Sequence, residues 1–84
     1  MSVVLDDFAR TVVATANGKH VLIDTRYVPF PLGRNNYETS VARCNTNGKV
    51  HHWKELDVLT ATEKETADIN HAAMINKWMK EVLV

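Results

Sequence analysis

Residues 3–24 read Val3-Val4-Leu5-Asp6-Asp7-Phe8-Ala9-Arg10-Thr11-Val12-Val13-Ala14-Thr15-Ala16-Asn17-Gly18-Lys19-His20-Val21-Leu22-Ile23-Asp24. The fold turns on whether the first half of this stretch coils or extends. Leu5, Phe8, Ala9, Val12, Val13 and Ala16 recur at the spacings of one amphipathic helical stripe. Asp6, Asp7, Arg10 and Thr11 fall on the other side, and the two aspartates occupy first turns, where the helix dipole favours negative charge. Asn17-Gly18 then reads as a C-terminal stop. The alternative is a hairpin, in which residues 11–16 and 19–24, both rich in β-branched side chains, flank the Asn-Gly pair. The cleaner stripe favours the helix.

Downstream, His20–Val28 reads as a strand centred on Val21-Leu22-Ile23. Pro29-Phe30-Pro31-Leu32-Gly33 ends it, because two prolines and a glycine forbid a regular ladder. Phe30 and Leu32 either plug the core from the edge or form an exposed apolar tip. Residues 37–45 and 49–57 are two further strands around a two-residue turn at Asn47-Gly48. That turn sets Tyr37 opposite Val58, Thr39 opposite Leu56 and Ala42 opposite Trp53. The last element is a helix over residues 62–83, opened by a capping box in which Thr62 and Glu65 exchange bonds. Ala67, His71, Met74, Ile75, Trp78 and Val82 repeat along it at helical spacing. The expectation is a single α+β domain over residues 1–84: a small three-stranded antiparallel sheet, an N-terminal helix (or hairpin) and a long C-terminal helix.

Composition narrows the functional classes. Lys plus Arg is 10 and Asp plus Glu is 10 in 84 residues, so the chain carries no net charge with which to coat nucleic acid. A hydrophobic fraction of 45% excludes compositional disorder. The one cysteine, Cys44, cannot staple a small fold and fits a reducing compartment. The N-terminus has no basic lead or long apolar run, and no segment approaches the roughly 20 apolar residues that span a bilayer. A cytoplasmic protein without membrane contact is expected.

The chemistry-bearing residues are sparse. Cys44, His20, His51 and His52 are possible metal ligands, but no paired-cysteine knuckle or helix-borne His pair accompanies them. No metal and no cofactor is expected. Cys44 with His51, and Ser40 nearby, nominally supplies a nucleophile and a base for a minimal hydrolase, yet no oxyanion donors mark the site. Glu38 and Asp57 could face each other as paired carboxylates near the strand ends. No catalytic residue is assigned. His71 reads as a satisfied core or interface histidine.

The informative patch is the middle third, where Arg26, Arg34, Arg43, Lys49 and Lys54 make up five of the ten basic residues. Tyr27, Phe30, Asn35, Asn36 and Tyr37 are interleaved with them. Guanidinium forks, amides and tyrosines recognise phosphate-bearing ligands or acidic protein surfaces. The candidate binding residues are therefore Arg26, Tyr27, Phe30, Arg34, Asn35, Asn36, Tyr37, Arg43 and Lys49. Met74, Trp78 and Val82 are the candidate interface of a homo-oligomer, tryptophan being enriched at interface centres.

At Tyr37-Glu38-Thr39 and the downstream Trp53-Lys54-Glu55-Leu56-Asp57, Thr62, Ala67, His71 and Met74, the sequence resembles a family of small uncharacterised bacteriophage proteins. The similarity covers roughly residues 21–78, with Ser40-Val41-Ala42 where that family has Met and Phe, and Asn70 where it has glycine. The resemblance implies a phage accessory protein in a bacterial cytoplasm. Its partner would be a host or defence protein that it masks, or a small nucleotide signal that it sequesters. An α-β-β-β-α order also matches a double-stranded-RNA-binding domain. However, Thr62-Glu63-Lys64-Glu65 stands where such domains cluster lysines, so nucleic acid is not an expected partner. The alternatives in other classes are an assembly module that oligomerises through the C-terminal helix, and the Cys/His hydrolase.

Overall fold

A computed structural model describes residues 6–29, 35–50 and 54–84, with residues 6–8 by backbone alone. Four strands precede one helix: β1 (Asp6–Ala14), β2 (His20–Val28), β3 (Asn36–Cys44), β4 (Glu55–Ala61) and α1 (Lys64–Met79). The strands form an antiparallel meander in the order β1-β2-β3-β4. α1 crosses one face and touches all four of them.

The N-terminal helix and the three-stranded sheet are therefore overturned, although the chain is α+β: residues 6–14 form a strand, as the hairpin alternative has it. Burial explains why. Thr11 is half-buried, Val12 exposed, Val13 buried, Ala14 exposed and Thr15 buried, a period of two rather than 3.6. The helical stripe had put Val12 and Val13 on one side, whereas the strand sends them to opposite faces. Stiff β-branched Thr11, Val12 and Val13 also fit a pleated surface better than a helix. With the first helix gone, the element order no longer matches a double-stranded-RNA-binding domain.

Both Asn-Gly turns differ from the two-residue form. In Thr15-Ala16-Asn17-Gly18-Lys19, Gly18 N–H donates to Thr15 O (3.0 Å) and Thr15 N–H donates to Lys19 O (2.8 Å). This is a three-residue loop closed by a bulge, and Gly18 sits at φ +79° where a side chain would be strained. Asn45-Thr46-Asn47-Gly48-Lys49 repeats it, with Gly48 N–H to Asn45 O at 3.0 Å and Asn45 N–H to Lys49 O at 3.1 Å. In each loop the first side chain accepts from the last backbone amide: Thr15 Oγ1 from Lys19 (3.1 Å), Asn45 Oδ1 from Lys49 (3.0 Å).

The second turn lies in the connection between β3 and β4 but closes at Lys49, before β4 begins. It lies against β1, where a Cβ added to Gly48 would stand 3.0 Å from the Val12 side chain. β4 begins only at Glu55, so its register is not the expected one: Tyr37 pairs with Ala61, Thr39 with Leu59 and Ala42 with Glu55. Trp53, the expected partner of Ala42, lies outside the described residues. So do Phe30 and Leu32, whose burial was left open.

The expected capping box is absent. The N-cap of α1 is Glu63, in extended conformation and without a side-chain cap bond. The helix also stops at Met79, not at Leu83, giving about 24 Å of length. Residues 81–84 instead fold back onto the first turn. Ala16 N–H donates to Glu81 O (2.9 Å), and the Asn17 amide both donates to Leu83 O (2.7 Å) and accepts from Leu83 N–H (3.1 Å). This clamp lets Leu83 join Val13, Val21, Ile23, Val41, Met74 and Trp78 in the core.

One polar line crosses that core. His71 is buried, its Nε2 2.8 Å from Thr11 Oγ1 and its Nδ1 2.7 Å from Thr25 Oγ1. Thr25 Oγ1 lies in turn 2.7 Å from Thr39 Oγ1, so the chain of bonds reaches from α1 to β1, β2 and β3. The sequence reading of His71 as a satisfied core histidine agrees with these contacts.

Three expectations follow from this packing. Thr25→Val leaves His71 Nδ1 and the Thr39 hydroxyl without a partner, and should cost about 1–3 kcal/mol in urea unfolding. Asn17→Ala removes both bonds to Leu83 and should cost about 1–2 kcal/mol. For pH, burial holds the His71 imidazole below its ordinary value of 6.5, only partly offset by the negative charges of Asp24 and Asp68. The folded chain therefore binds its proton at lower pH than the unfolded chain does. Stability should fall as pH drops from 6.5 towards that depressed value, and level off below it. In His71→Gln, Tm measured across pH 8 to 5 should lose this part of the slope.

Candidate functional site

The hydrogen bonds to His71 assign the two faces of the sheet. Odd-numbered β2 and β3 residues (Thr25, Tyr27, Tyr37, Thr39) face α1, and even-numbered ones (Asp24, Arg26, Asn36, Glu38, Ser40) face away. At the Val28/Asn36 end of the hairpin, β2 and β3 bring together five candidate binding residues. Tyr27 and Tyr37 are register partners whose rings meet edge to face, 5.1 Å between centroids. Arg26 pairs in register with Glu38, one step along on the opposite face. Asn36 is half-buried, its Oδ1 enclosed without a hydrogen-bond partner among the described residues, and exposed Asn35 takes φ +52° where the chain enters β3. A left-handed residue at a strand entry suits Asn and re-aims the chain.

The other candidates do not join this group. Arg43 and Lys49 sit at the opposite end of the hairpin, about 20 Å from Tyr37 by strand rise. Arg43 is exposed and its guanidinium donates to the carbonyl of Val84. Lys49 closes the second turn. Phe30 and Arg34 lie outside the described residues. Met74 and Trp78 are buried in the chain's own core, 2% and 9% exposed, whereas Val82 is 66% exposed.

A polar cluster that composition did not reveal lies on the face away from α1. Asp24 is 1% exposed, is bonded by the Arg26 guanidinium, and has Arg10 Nε 4.0 Å from its Oδ1. Ser40, buried, is its register partner on β3. Breaking such a pair by removing one arginine strands a buried charge. The signal was present in the sequence, since Asp24 and Arg26 are two apart in a strand and so share a face.

On the α1 side, Lys77 Nζ donates to Asp57 Oδ2 at 2.5 Å and Trp78 Nε1 lies 3.4 Å from the same oxygen. Burial pushes the Asp57 carboxyl up, but the Lys77 bond and charge and the Trp78 bond outweigh it, holding it below 3.8. Beside this pair, Leu59, Ala73 and Met74 complete a shallow groove of about 170 Å³. Glu38 and Asp57 are not a carboxylate pair: they lie on opposite faces, opposite Thr60 and Val41.

Cys44 is half-buried and opposite His20 in the β2–β3 register. His51 and His52 lie outside the described residues, so the proposed Cys44–His51 dyad does too. Burial pushes the Cys44 thiol above its ordinary value of about 9, the reverse of what activates a nucleophile. Among the described residues no three His, Cys, Asp or Glu side chains group as metal ligands, and no helix is long and apolar enough to cross a membrane.

Comparison with protein families, curated proteins and solved structures finds no match for this chain.

Because only the thiolate reacts, iodoacetamide alkylation of folded Cys44 should rise with pH to beyond 9, without a plateau near neutrality. A plateau below pH 8 would mark an activated thiol.

Proposed function

We propose that this chain works by adhesion, as a small phage accessory protein of the bacterial cytoplasm that inhibits a host or defence component. It does so by masking an effector protein or by sequestering a nucleotide signal. The observation that carries the reading is the convergence of Arg26, Tyr27, Asn35, Asn36 and Tyr37 at one end of the β2–β3 hairpin. There the half-buried Tyr27 and Tyr37 rings meet on the α1 face of the sheet, Arg26 and Asn36 lie on the opposite face, and exposed Asn35 sits at the entry to β3. Aromatic rings and Arg are the groups that dominate recognition surfaces, and a scaffold that holds them rigid reduces the entropy lost on binding. The raised Cys44 thiol weighs against the hydrolase alternative.

Affinity capture from a lysate of the bacterial host, with proteins read by mass spectrometry and nucleotides by chromatography, tests this. Wild type and Arg43→Ala should retain the same partner, and Tyr37→Ala, folded by circular dichroism, should retain about tenfold less. Equal retention by Tyr37→Ala, or nothing retained by wild type, overturns the proposal.

A further inference from the structure

We infer that Asn47-Gly48 is a site of spontaneous deamidation, and that the C-terminal tail shields the chemically equivalent Asn17-Gly18 from the same reaction. The chain has two Asn-Gly pairs, each continued by lysine: Asn17-Gly18-Lys19 and Asn47-Gly48-Lys49. Asparagine followed by glycine can cyclise, because glycine has no Cβ to hinder its own backbone nitrogen. Base removes the glycine amide proton and the nitrogen attacks the asparagine Cγ. A C–N bond forms, the Cγ–Nδ2 bond breaks, and ammonia leaves. One water then opens the succinimide at either carbonyl, giving aspartate or isoaspartate.

The two loops present the attacking nitrogen alike. Gly18 and Gly48 sit at φ +79° and +85°, and each N–H donates across its loop at 3.0 Å, to Thr15 O and Asn45 O. Both asparagines are exposed. What differs is the grip on the side-chain amide. Asn17 Nδ2 donates to Leu83 O (2.7 Å), while its Oδ1 accepts from Leu83 N–H (3.1 Å) and from the Thr15 hydroxyl (2.7 Å). The reaction expels Nδ2 and turns Cγ towards glycine, so at Asn17 it leaves both backbone groups of Leu83 without these partners. Leu83 is itself 7% exposed and part of the core, which resists withdrawal of the tail. Among the described residues Asn47 is held at Oδ1 alone, by Lys49 N–H at 3.0 Å. That N–H also donates to Asn45 Oδ1 (3.0 Å), so turning Asn47 away orphans nothing.

The products bear unequally on the fold. At residue 47 the change adds one negative charge, on an exposed loop, to a chain of zero formal net charge. Isoaspartate also lengthens the backbone there by one carbon, in a turn whose Gly48 lies close to the Val12 side chain. At residue 17 a carboxylate would replace the donor that now stands 2.7 Å from Leu83 O. Acceptor would then face acceptor, and the clamp that seats Leu83 would open. The shield therefore stands at the loop whose modification would unseat a core residue, and the loop without such a partner is left to react.

This chemistry is independent of what the β2–β3 end binds. The full chain, kept in mildly alkaline buffer and sampled over days, is followed at both sites by peptide mapping that resolves aspartate from isoaspartate. Folded, it should lose Asn47 about tenfold faster than Asn17, because reaction at Asn17 waits for the clamp to open. In denaturing urea the two identical tripeptides should react at closely similar rates. Asn47→Gln, whose side chain is too long for the same ring, should abolish the early acidic species on ion exchange. Leu83→Ala, folded by circular dichroism, should raise the Asn17 rate and leave that of Asn47 unchanged; the urea comparison decides if this variant does not fold. An Asn47 that stays intact in the folded chain, equal folded rates, or a rate difference that persists in urea would each overturn the assignment.

Discussion

The helix is registered on the sheet by one doubly bonded imidazole, that of His71. α1 buries only Ala67, His71, Met74 and Trp78, so its apolar contribution is modest and could tolerate sliding or rotation by small steps. His71 removes that freedom, because its two ring nitrogens meet hydroxyls from two different strands. A neutral imidazole is both donor and acceptor, whereas a threonine hydroxyl serves either role; the line Thr11–His71–Thr25–Thr39 is therefore satisfied in either tautomer. Any displacement of α1 would leave several of these groups dry and unbonded, which is costly in a low-dielectric layer.

The two faces of the sheet solve different problems. Towards α1 the sheet offers valines, isoleucine and hydroxyls that need a lid. On the other face Leu22, Ala42 and Asp24 are also buried, and Asp24 is held by arginines from its own strand and its neighbour. With both faces of the central strands occupied, the exposed recognition groups fall to the strand ends and edges. Asn35 is exposed at one such end, where the half-buried Tyr27 and Tyr37 rings meet.

The α+β class, β2, most of β3, the C-terminal helix and the core role of His71 were legible because each rests on local pattern. The N-terminal element was not. Leu5, Phe8, Ala9, Val12, Val13 and Ala16 satisfy a helical spacing by coincidence, and the β-branched run 11–13 beside Asn-Gly was the truer signal. β4 was displaced along β3 because the Asn47-Gly48 turn was taken as its hairpin, and only tertiary placement shows that turn lying on Val12. Arg26, Tyr27, Asn35, Asn36 and Tyr37 are close both in sequence and across one register, so folding keeps them at one end of the sheet, although the tyrosines and Arg26 with Asn36 fall on opposite faces. Arg43 and Lys49 were grouped with them by position in the chain, yet an extended strand carries them to the other end. The Asp24 cluster and the Asn17 clamp involve partners chosen by the fold, Arg10 across the ladder and Leu83 at a separation of 66 residues.

That last separation bears on how the molecule comes into being. On a ribosome, β1, β2 and their connecting loop emerge early, but the two bonds between Asn17 and Leu83 form only once Leu83 has been made. The first hairpin is therefore completed late, by a contact that spans 66 residues. Closing so long a separation is slower than local hairpin closure alone.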